Sequence, residues 1–238
     1  MPRSVVTLTT DFGLSDHYVG VMKGVILNVN PEADLVDICH DIRPYDVLEG
    51  AFAIAQSYRY FPQRTIHLVV VDPGVGSARR PLLVAADNHY FIAPDNGVLS
   101  LVFSRAEDLL VRHITASHYF LDPISHTFHG RDIFAPVAGW LSRHVEVEKF
   151  GDPVTDFVRF TPPQAKRINE RLLKGVVLRV DPPDRASDPP GPSRHIRRSE
   201  TEPRPEPRGP SHLRVGRTLR QRVHAGGPAT ASDRLRDW

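Results

Sequence analysis

Residues 1–110 alternate short apolar runs with segments of helical periodicity, and this alternation constrains the fold more than any other feature. The runs at 5–9 and 65–71 are predicted strands, and the segments 18–28 and 46–61 are predicted helices. Strands that alternate with helices in this way build a parallel sheet covered by helices. The sequence therefore predicts an α/β fold: a layered N-terminal domain with a largely parallel central sheet.

Shorter patterns extend the prediction. A strand is expected at 35–38, and a hairpin-like turn at Asp87-Asn88-His89 joins strands at 82–86 and 90–93. The others, in chain order, are a helix at 97–103, a loop running into a helix at 126–142, a Pro-broken connection with a short polar helix over 151–173, and a strand at 175–181.

The composition changes near residue 181. Residues 181–238 hold twelve Arg, no Lys, ten of the 22 Pro and eight acids, whereas the first 180 residues hold 18 basic and 20 acidic side chains. Residues 181–210 have no hydrophobic period of either kind, and we expect 182–238 to be disordered. One weak basic helix at 211–224 stays open. The excess of basic residues belongs to that segment, so composition does not make the whole chain a nucleic-acid binder.

Several protein classes are disfavoured. No run of 18 apolar residues is present, and the first residues lack the apolar core of a signal peptide, so we expect no membrane association. Cys39 is the single cysteine and cannot form an internal disulfide, and no zinc-type spacing is present. A cytoplasmic protein is therefore expected.

Acid-bearing turns follow three of the predicted strands: Asp-Phe-Gly at 11–13, Asp-Pro-Gly at 72–74 and Asp-Asn-Gly at 95–97. Ligands of open α/β sheets bind at the carboxyl ends of strands, although a single such Asp is more often a helix cap or turn former. Three turns on one sheet favour a ligand site. The glycines after residue 72 lack the Gly-Lys-Ser/Thr of a phosphate loop and the third glycine of a dinucleotide-binding turn.

A longer pattern extends beyond these turns. The chain contains, in order, TLTTDFGLSDHYVGVMKGVI, VVVDPGVG followed by Arg79, FIAPDNGVLS and TFHGRDIFAPVA. In these segments it resembles the S-adenosylmethionine (SAM) hydroxide adenosyltransferase family, which is related to SAM-dependent fluorinases and chlorinases. The resemblance covers about residues 4–181 and implies hydrolysis of SAM by water to adenosine and methionine. SAM is then the substrate, and neither a cofactor nor a metal is implied.

The resemblance implies three catalytic residues, Asp72, Arg79 and His129, which would orient and activate the attacking water. A carboxylate and an imidazole can each accept a proton from water, so the acceptor is left open between Asp72 and His129. Arginine stays cationic and can hold the carboxylate in place. The leaving thioether is neutral and needs no acid, so in-line positioning should supply much of the rate.

Six substrate-binding residues follow from the same resemblance: Asp11, Phe12, Asp16, Tyr45, Asn96 and Phe128. Among them, Asp11 matches the acid that binds the ribose hydroxyls, and Asp16 matches a second acid of the same motif. Tyr45 matches the aromatic ring that lies against the ribose. The two phenylalanines are expected to wall the pocket.

The nucleophile can also be argued from the sequence. The related halogenases lack the acid of the Val-Asp-Pro-Gly segment and the histidine of His-Gly-Arg-Asp, both of which stand here. Fluorinases carry a long insertion where this chain has only Asp87-Asn88-His89. A carboxylate at Asp72 would also repel a halide. Water is the expected nucleophile, and a SAM-dependent halogenase-like reaction is the alternative.

The chain departs from the family near residue 181. Family members continue into a C-terminal β-barrel and form trimers, with the substrate between one subunit's N-terminal domain and the next subunit's barrel. The expected division here is an α/β catalytic domain at 1–165, a linker and first strand of a truncated C-terminal domain at 166–181, and an Arg/Pro-rich tail at 182–238. We hypothesise that the tail is an out-of-frame reading of the coding DNA, and a genuine lineage-specific disordered tail is the alternative. We expect weak or absent hydrolysis and impaired trimer formation.

Three interpretations of other classes stay open. One is a non-catalytic adenosine or SAM binding module that uses Asp11 and Tyr45. Another is a metal-dependent hydrolase built on Asp11, Asp72 and His129, although no metal motif is present. The third, and least favoured, is an arginine-rich tail that binds nucleic acid or anionic lipid.

Overall fold

The structure, a computed structural model, describes residues 3–161, 164–169 and 172–175 of the 238-residue chain. The predicted strand at 175–181 lies outside these residues except for its first position. The predicted disordered tail at 182–238 and its origin by a frameshift lie wholly outside them.

In the described residues strands and helices alternate as far as the third strand, and the fourth and fifth strands then follow it without a helix between them. The strands are β1 (Val5–Thr10), β2 (Asp34–Cys39), β3 (Ile66–Val70), β4 (Pro81–Ala86), β5 (His89–Pro94), β6 (Leu109–His113), β7 (Lys166–Asn169) and β8 (Leu172–Lys174). The α-helices are α1 (Tyr18–Val29), α2 (Val47–Ser57), α3 (Ser100–Phe103) and α4 (Ala135–Ser142), and a π-helix (Gly130–Phe134) leads into α4.

Six of the strands form one sheet in the order β2-β1-β3-β5-β4-β6. The pairs β1–β2, β1–β3 and β3–β5 are parallel, whereas β4 is antiparallel to both β5 and β6. The predicted α/β fold with a largely parallel central sheet is confirmed. The carboxyl ends of β1, β3 and β5 therefore meet at one edge, where the three acid-bearing turns begin.

Helices cover both faces of this sheet, as the alternation of side chains along β3 shows. Leu68 and Val70 point into a core shared with α1 and α4, while Val69 and Val71 point into a core shared with α2 and α3. Successive side chains of a strand face opposite sides, so a strand that is apolar throughout needs cover on both.

One expectation of secondary structure was wrong, and one strand was missed. The polar segment ending at residue 173 is not a helix, because Lys166–Asn169 pairs with Leu172–Lys174 in an antiparallel hairpin. The apolar side chains of Ile168 and Leu172 stay about half exposed here, at 50% and 52%, so a helix would gain little from packing. Short helices without a buried face are marginal in water. The sequence analysis also missed β6, whose five residues pair with β4 and form the last strand of the sheet.

Close packing of α1 against α4 depends on Gly139. A Cβ added at Gly139 would lie 2.7 Å from Cβ of Val29, which is closer than carbon atoms approach in folded proteins. The backbones can therefore approach at this point only because residue 139 lacks a side chain.

Replacing Gly139 by alanine should destabilise the fold by about 1–3 kcal/mol, because one of the two helices must shift. Gly24 on α1 is the matched control, since a Cβ added there meets no atom within 4 Å. Gly24→Ala should leave the free energy of unfolding unchanged or raise it by about 0.4–1 kcal/mol. Urea denaturation measures both variants, and equal effects would contradict the packing argument.

A buried pair of histidines lies toward the amino ends of the parallel strands. Thr7 Oγ1 is 2.8 Å from Nδ1 of His67, and Nε2 of His67 is 3.2 Å from Nδ1 of His89. Tyr58 and Phe91 pack their rings against His67. Burial, reinforced by the neighbouring His89, lowers the pKa of His67 from 6.5 to about 3.

The stability contributed by neutral His67 should be present above pH 6.5 and should be lost as the pH falls toward about 3. In this window the unfolded chain binds a proton that the folded chain does not bind. As the pH decreases through this window, the free energy of unfolding should fall less steeply in the double variant Thr7→Val/His67→Phe than in the unmodified protein. The difference between the two slopes should be about 1.4 kcal/mol per pH unit. Urea denaturation at several pH values measures this difference. Parallel pH profiles for the two proteins would rule the effect out.

Candidate active site

Asp72, Arg79 and His129 lie in direct contact, although 57 residues separate the first from the last. Asp72 follows β3, Arg79 lies in the loop between β3 and β4, and His129 immediately precedes the π-helix. One guanidinium nitrogen, Nη2 of Arg79, donates to Oδ2 of Asp72 and, at 3.1 Å, to Nδ1 of His129. We call these three residues the trio.

This geometry indicates which atoms of the trio carry protons and which accept them. A guanidinium can only donate hydrogen bonds, so Nδ1 of His129 is the acceptor and the neutral ring carries its proton on Nε2. Asp72 Oδ1 is buried and has no hydrogen-bond partner of normal geometry among the described residues, although the nearby main-chain N–H of Gly74 lowers the pKa of this carboxyl. The trio therefore has a buried carboxylate oxygen able to accept a proton and an imidazole N–H able to donate one.

Burial sets the direction of each pKa shift in the trio. It raises the pKa of Asp72, against the lowering effect of Arg79, and it lowers the pKa of Arg79, against the effect of Asp72. The pKa of His129 is lowered by burial first and by the charge of Arg79 second. The lowered pKa keeps the imidazole of His129 neutral near neutral pH.

Within the His-Gly-Arg-Asp segment, only the histidine belongs to the trio. Gly130 lets the π-helix pack closely, since a Cβ there would lie 3.2 Å from Sδ of Met22. Arg131 pairs instead with Asp132, at 2.6 Å, and buried Asp132 accepts the N–H of Ser125 at 2.8 Å. These two residues therefore anchor the loop that carries His129. Such π-helical turns are common at functional sites.

Glycine also lets the two loops of the trio approach each other. Gly76, in the loop that carries Arg79, has φ +76°, and a Cβ there would lie 2.3 Å from the main-chain oxygen of His126. No residue with a side chain fits this position without moving one of the loops. The Asp-Pro-Gly-Val-Gly pattern, which was set aside as a phosphate loop, thus has a steric role.

Asp11 lies at the end of β1, next to the end of β3 in the sheet. Its Oδ2 accepts the main-chain N–H of Tyr45 at 2.7 Å. Tyr45 has φ 66°, in the left-handed region, and its ring is 69% exposed. Burial raises the pKa of Asp11, while the Tyr45 N–H lowers it. Both predicted ribose contacts are therefore adjacent, with the Tyr45 ring open to solvent.

Aromatic rings connect the Asp11 turn to the loop of His129. Phe12 and Phe128 lie 6.0 Å apart between ring centres, and Tyr18 packs against both, at 5.9 and 5.1 Å. The predicted pocket walls thus touch each other. Tyr18 was missed by the sequence analysis, although it opens the helix within the same Asp-Phe-Gly motif segment.

Two expected binding residues make other contacts. Asp16 is 55% exposed and binds the main-chain N–H and the ring of its neighbour His17, at 2.7 and 2.6 Å. Asn96 donates to the main-chain oxygen of Val71 at 2.8 Å and accepts the N–H of Val98 at 3.1 Å. These contacts fix the turn ends, and the roles of Asp16 and Asn96 in binding stay predictions.

Asp95, the acid of the third turn, has a structural role. Asp95 accepts Nε and Nη2 of Arg80 at 2.9 and 2.7 Å, and its other oxygen accepts the N–H of Val158 at 2.7 Å. Both carboxylate oxygens are thus used to fasten the segment after residue 151 to the edge of the sheet.

Residues 6–151 match the family model described as the SAM hydroxide adenosyltransferase N-terminal domain. The chain belongs to this family. The resemblance drawn from the four motif segments is confirmed, and the whole trio lies within the matched residues.

Similar proteins carry related names. The "(R)-S-adenosyl-L-methionine hydrolase" of Methanocaldococcus jannaschii is 40% identical over 138 residues, 56% of this chain and 51% of the relative. A fluorinase of Actinopolyspora mzabensis is 27% identical over 206 residues, 76% of this chain and 69% of the relative. The crystal structure of an uncharacterized conserved protein from Thermotoga maritima is similar at TM-score 0.67 and 39% identity, covering 70% of this chain and 64% of that one.

The chain spans about half the length of the curated hydrolases it matches. Among the residues that the structure describes, no helix is long and apolar enough to cross a membrane. The same residues contain no group of three or more His, Cys, Asp or Glu side chains that could hold a metal ion. A cytoplasmic location and a trimer stay predictions.

Opposite shifts in the pKa of His129 should follow from two single changes in the trio. Arg79→Met removes the cation that Nδ1 faces, so the pKa of His129 should rise. Asp72→Asn removes the carboxylate while keeping its shape, so this pKa should fall. Titration of the His129 ring by NMR measures both. Shifts of the same sign would contradict the contacts assigned to Arg79.

Proposed function

We propose that the chain hydrolyses S-adenosyl-L-methionine to adenosine and L-methionine. The observation that carries this proposal is the double contact of Nη2 of Arg79 with Asp72 and His129. It leaves Oδ1 of Asp72 as a buried acceptor. Family membership and the names of the hydrolase relatives support the choice of substrate.

In this proposal Asp72 is the proton acceptor and His129 orients the water. The Nε2–H of His129 donates to the water oxygen, while a water proton passes to Oδ1 of Asp72. The new bond joins the water oxygen to C5′ of the ribose as the C5′–S bond breaks, and its electron pair leaves with the sulfur of methionine. Burial favours this assignment, because it raises the pKa of Asp72 and makes the carboxylate a better base.

Arg79 contributes charge and geometry. It cannot take the proton, but its contact with Oδ2 directs Oδ1 of Asp72 away from the guanidinium. Its contact with Nδ1 of His129 keeps the ring proton on Nε2. One residue therefore sets the orientation of both groups that would handle the water.

The substrate would extend from the trio toward Asp11. The carboxylate of Asp11 would bind the ribose hydroxyls, with the ring of Tyr45 against the sugar. Phe12 and Phe128, together with Tyr18, would exclude water from one side of the reacting carbon. The proximity of β1 and β3 in the sheet supports this path.

Water is preferred over a halide as the nucleophile. The fluorinase relative is less similar than the hydrolases, at 27% against 36–40% identity. The carboxylate of Asp72 would repel an anion placed beside it. A SAM-dependent halogenase-like reaction is therefore the less favoured chemistry.

A non-catalytic adenosine or SAM binding module is the second candidate function. The observation that favours it is the exposure of the Asp11 side of the site, where Tyr45 is 69% and Leu14 65% exposed. The chain also covers only about half of the hydrolase relatives. Weak or absent hydrolysis and impaired trimer formation stay predictions for this chain.

The first experiment incubates the purified full chain with SAM and identifies products by chromatography, with and without added chloride. We expect adenosine and methionine under both conditions. A chlorinated nucleoside would favour the halogenase-like reaction. Adenosine binding by calorimetry without product would favour the binding module, and neither binding nor product would reject both functions.

Two conservative changes in the trio separate its proton roles. Asp72→Asn cannot accept the proton and should lower kcat by about 10²–10⁴-fold while adenosine still binds. His129→Gln keeps an N–H near the position of Nε2 and should retain more activity than Asp72→Asn. Asp108→Asn, an exposed acid near the start of β6, is the control and should leave kcat unchanged. If His129→Gln loses more activity than Asp72→Asn, the acceptor is His129.

A further inference from the structure

A chain of buried polar groups lies beneath the Asp11 turn. Thr10, the last residue of β1, has Oγ1 2.8 Å from Nδ1 of His40 and accepts the N–H of Phe12 at 3.3 Å. The main-chain oxygen of His40 accepts the N–H of Gly13 at 2.8 Å. His40 therefore contacts the turn on both sides of Asp11, through Thr10 before it and through Gly13 after it.

His40 is held in turn by β2 and α1. Its Nε2 lies 3.0 Å from Oδ1 of Asp37, at an angle that is poor for a hydrogen bond. Lys23 of α1 donates to Oδ2 of Asp37 at 2.6 Å. The side chain of His40 is 1% exposed, so solvent does not compete for these contacts.

The donors and acceptors favour one arrangement of protons. The carboxylate of Asp37 can only accept, so the proton of the neutral His40 ring is placed on Nε2, which faces it. Nδ1 of His40 then accepts from Oγ1 of Thr10, and the same oxygen accepts the N–H of Phe12. Each group orients the next, from Asp37 to the turn that carries Asp11.

We propose that Thr10 and His40 are positioning residues for Asp11. They hold the 11–13 turn in the conformation that presents the Asp11 carboxylate to the N–H of Tyr45 and to the ribose. The part concerning the ribose rests on the proposed function. Thr10 is fully buried and His40 nearly so, and the proposal gives neither residue a contact with substrate.

The test uses three threonine variants of the full chain. Thr10→Val removes the hydroxyl at nearly constant volume, and Thr10→Ser keeps it. Thr7→Val is the matched control, because Thr7 lies on the same strand, is fully buried, and is 2.8 Å from Nδ1 of another buried histidine, His67. Both valine variants lose one Thr–His contact, but only Thr10 adjoins Asp11.

Two measurements are made on each variant: amide hydrogen exchange of Phe12 and Gly13 by NMR, and adenosine affinity by calorimetry. Thr10→Val should speed exchange of both amides and weaken adenosine binding by about tenfold, whereas Thr7→Val should change neither. Thr10→Ser should restore both toward the unmodified protein. A purely structural role for Thr10 would instead give the two valine variants the same lower stability and the same exchange at these amides.

Equal exchange of Phe12 and Gly13 in the two valine variants overturns the proposal, as does adenosine affinity in Thr10→Val within about twofold of the unmodified protein. If exchange responds as expected but the unmodified protein binds no adenosine, the positioning role stands and the ribose-binding role of Asp11 fails. Should Thr10→Val not fold, Asp37→Asn replaces it, since Asp37 is 38% exposed. It should speed exchange of the same amides, and unchanged exchange overturns the proposal.

Discussion

The parallel pairing of β1 with β3 is the constraint on which the site depends. Thr10 is opposite Val70 in this pairing, so the chain leaves both strands at the same level. Neighbouring strands lie about 4.8 Å apart, and the turn of Asp11 and the loop of Asp72 therefore begin side by side. The positioning contacts of His40 and the aromatic contacts that lead to the loop of His129 both start at the exit of β1.

The ion pair of Asp72 and Arg79 is costly to bury, and the surrounding packing keeps it in place. Removing two charges from water can cost more than their mutual attraction returns, so such a pair is weak support for stability. Here Arg79 also lies 5.2 Å over the ring of Phe134, and Gly76 lets its loop approach His126. A buried pair held in this way is better explained by the chemistry of a site than by folding.

The sequence could predict the sheet and the trio for identifiable reasons. The apolar runs of β1 and β3 carry a strong signal because both faces of these strands are buried, and the motif segments placed Asp72, Arg79 and His129 in one family pattern. Three-dimensional contacts decided the rest. Periodicity does not reveal that Asn96 binds main-chain groups, that Tyr18 joins Phe12 and Phe128, or that Thr10 and His40 meet beneath Asp11. The edge strand β6 was missed because its apolar run is only three residues long, at 109–111, and Arg112 and His113 follow it at once.

The reversed direction of β4 has a consequence for how this site can change. Since β4 runs antiparallel to β5, the connection from β3 to β4 begins and ends at the same edge of the sheet, and it carries both Asp72 and Arg79. An insertion there would shift the two charges relative to each other. The turn at Asp87 and Asn88 lies at the opposite edge, so its length can vary over evolution, or accept a grafted peptide, without altering the spacing of the trio.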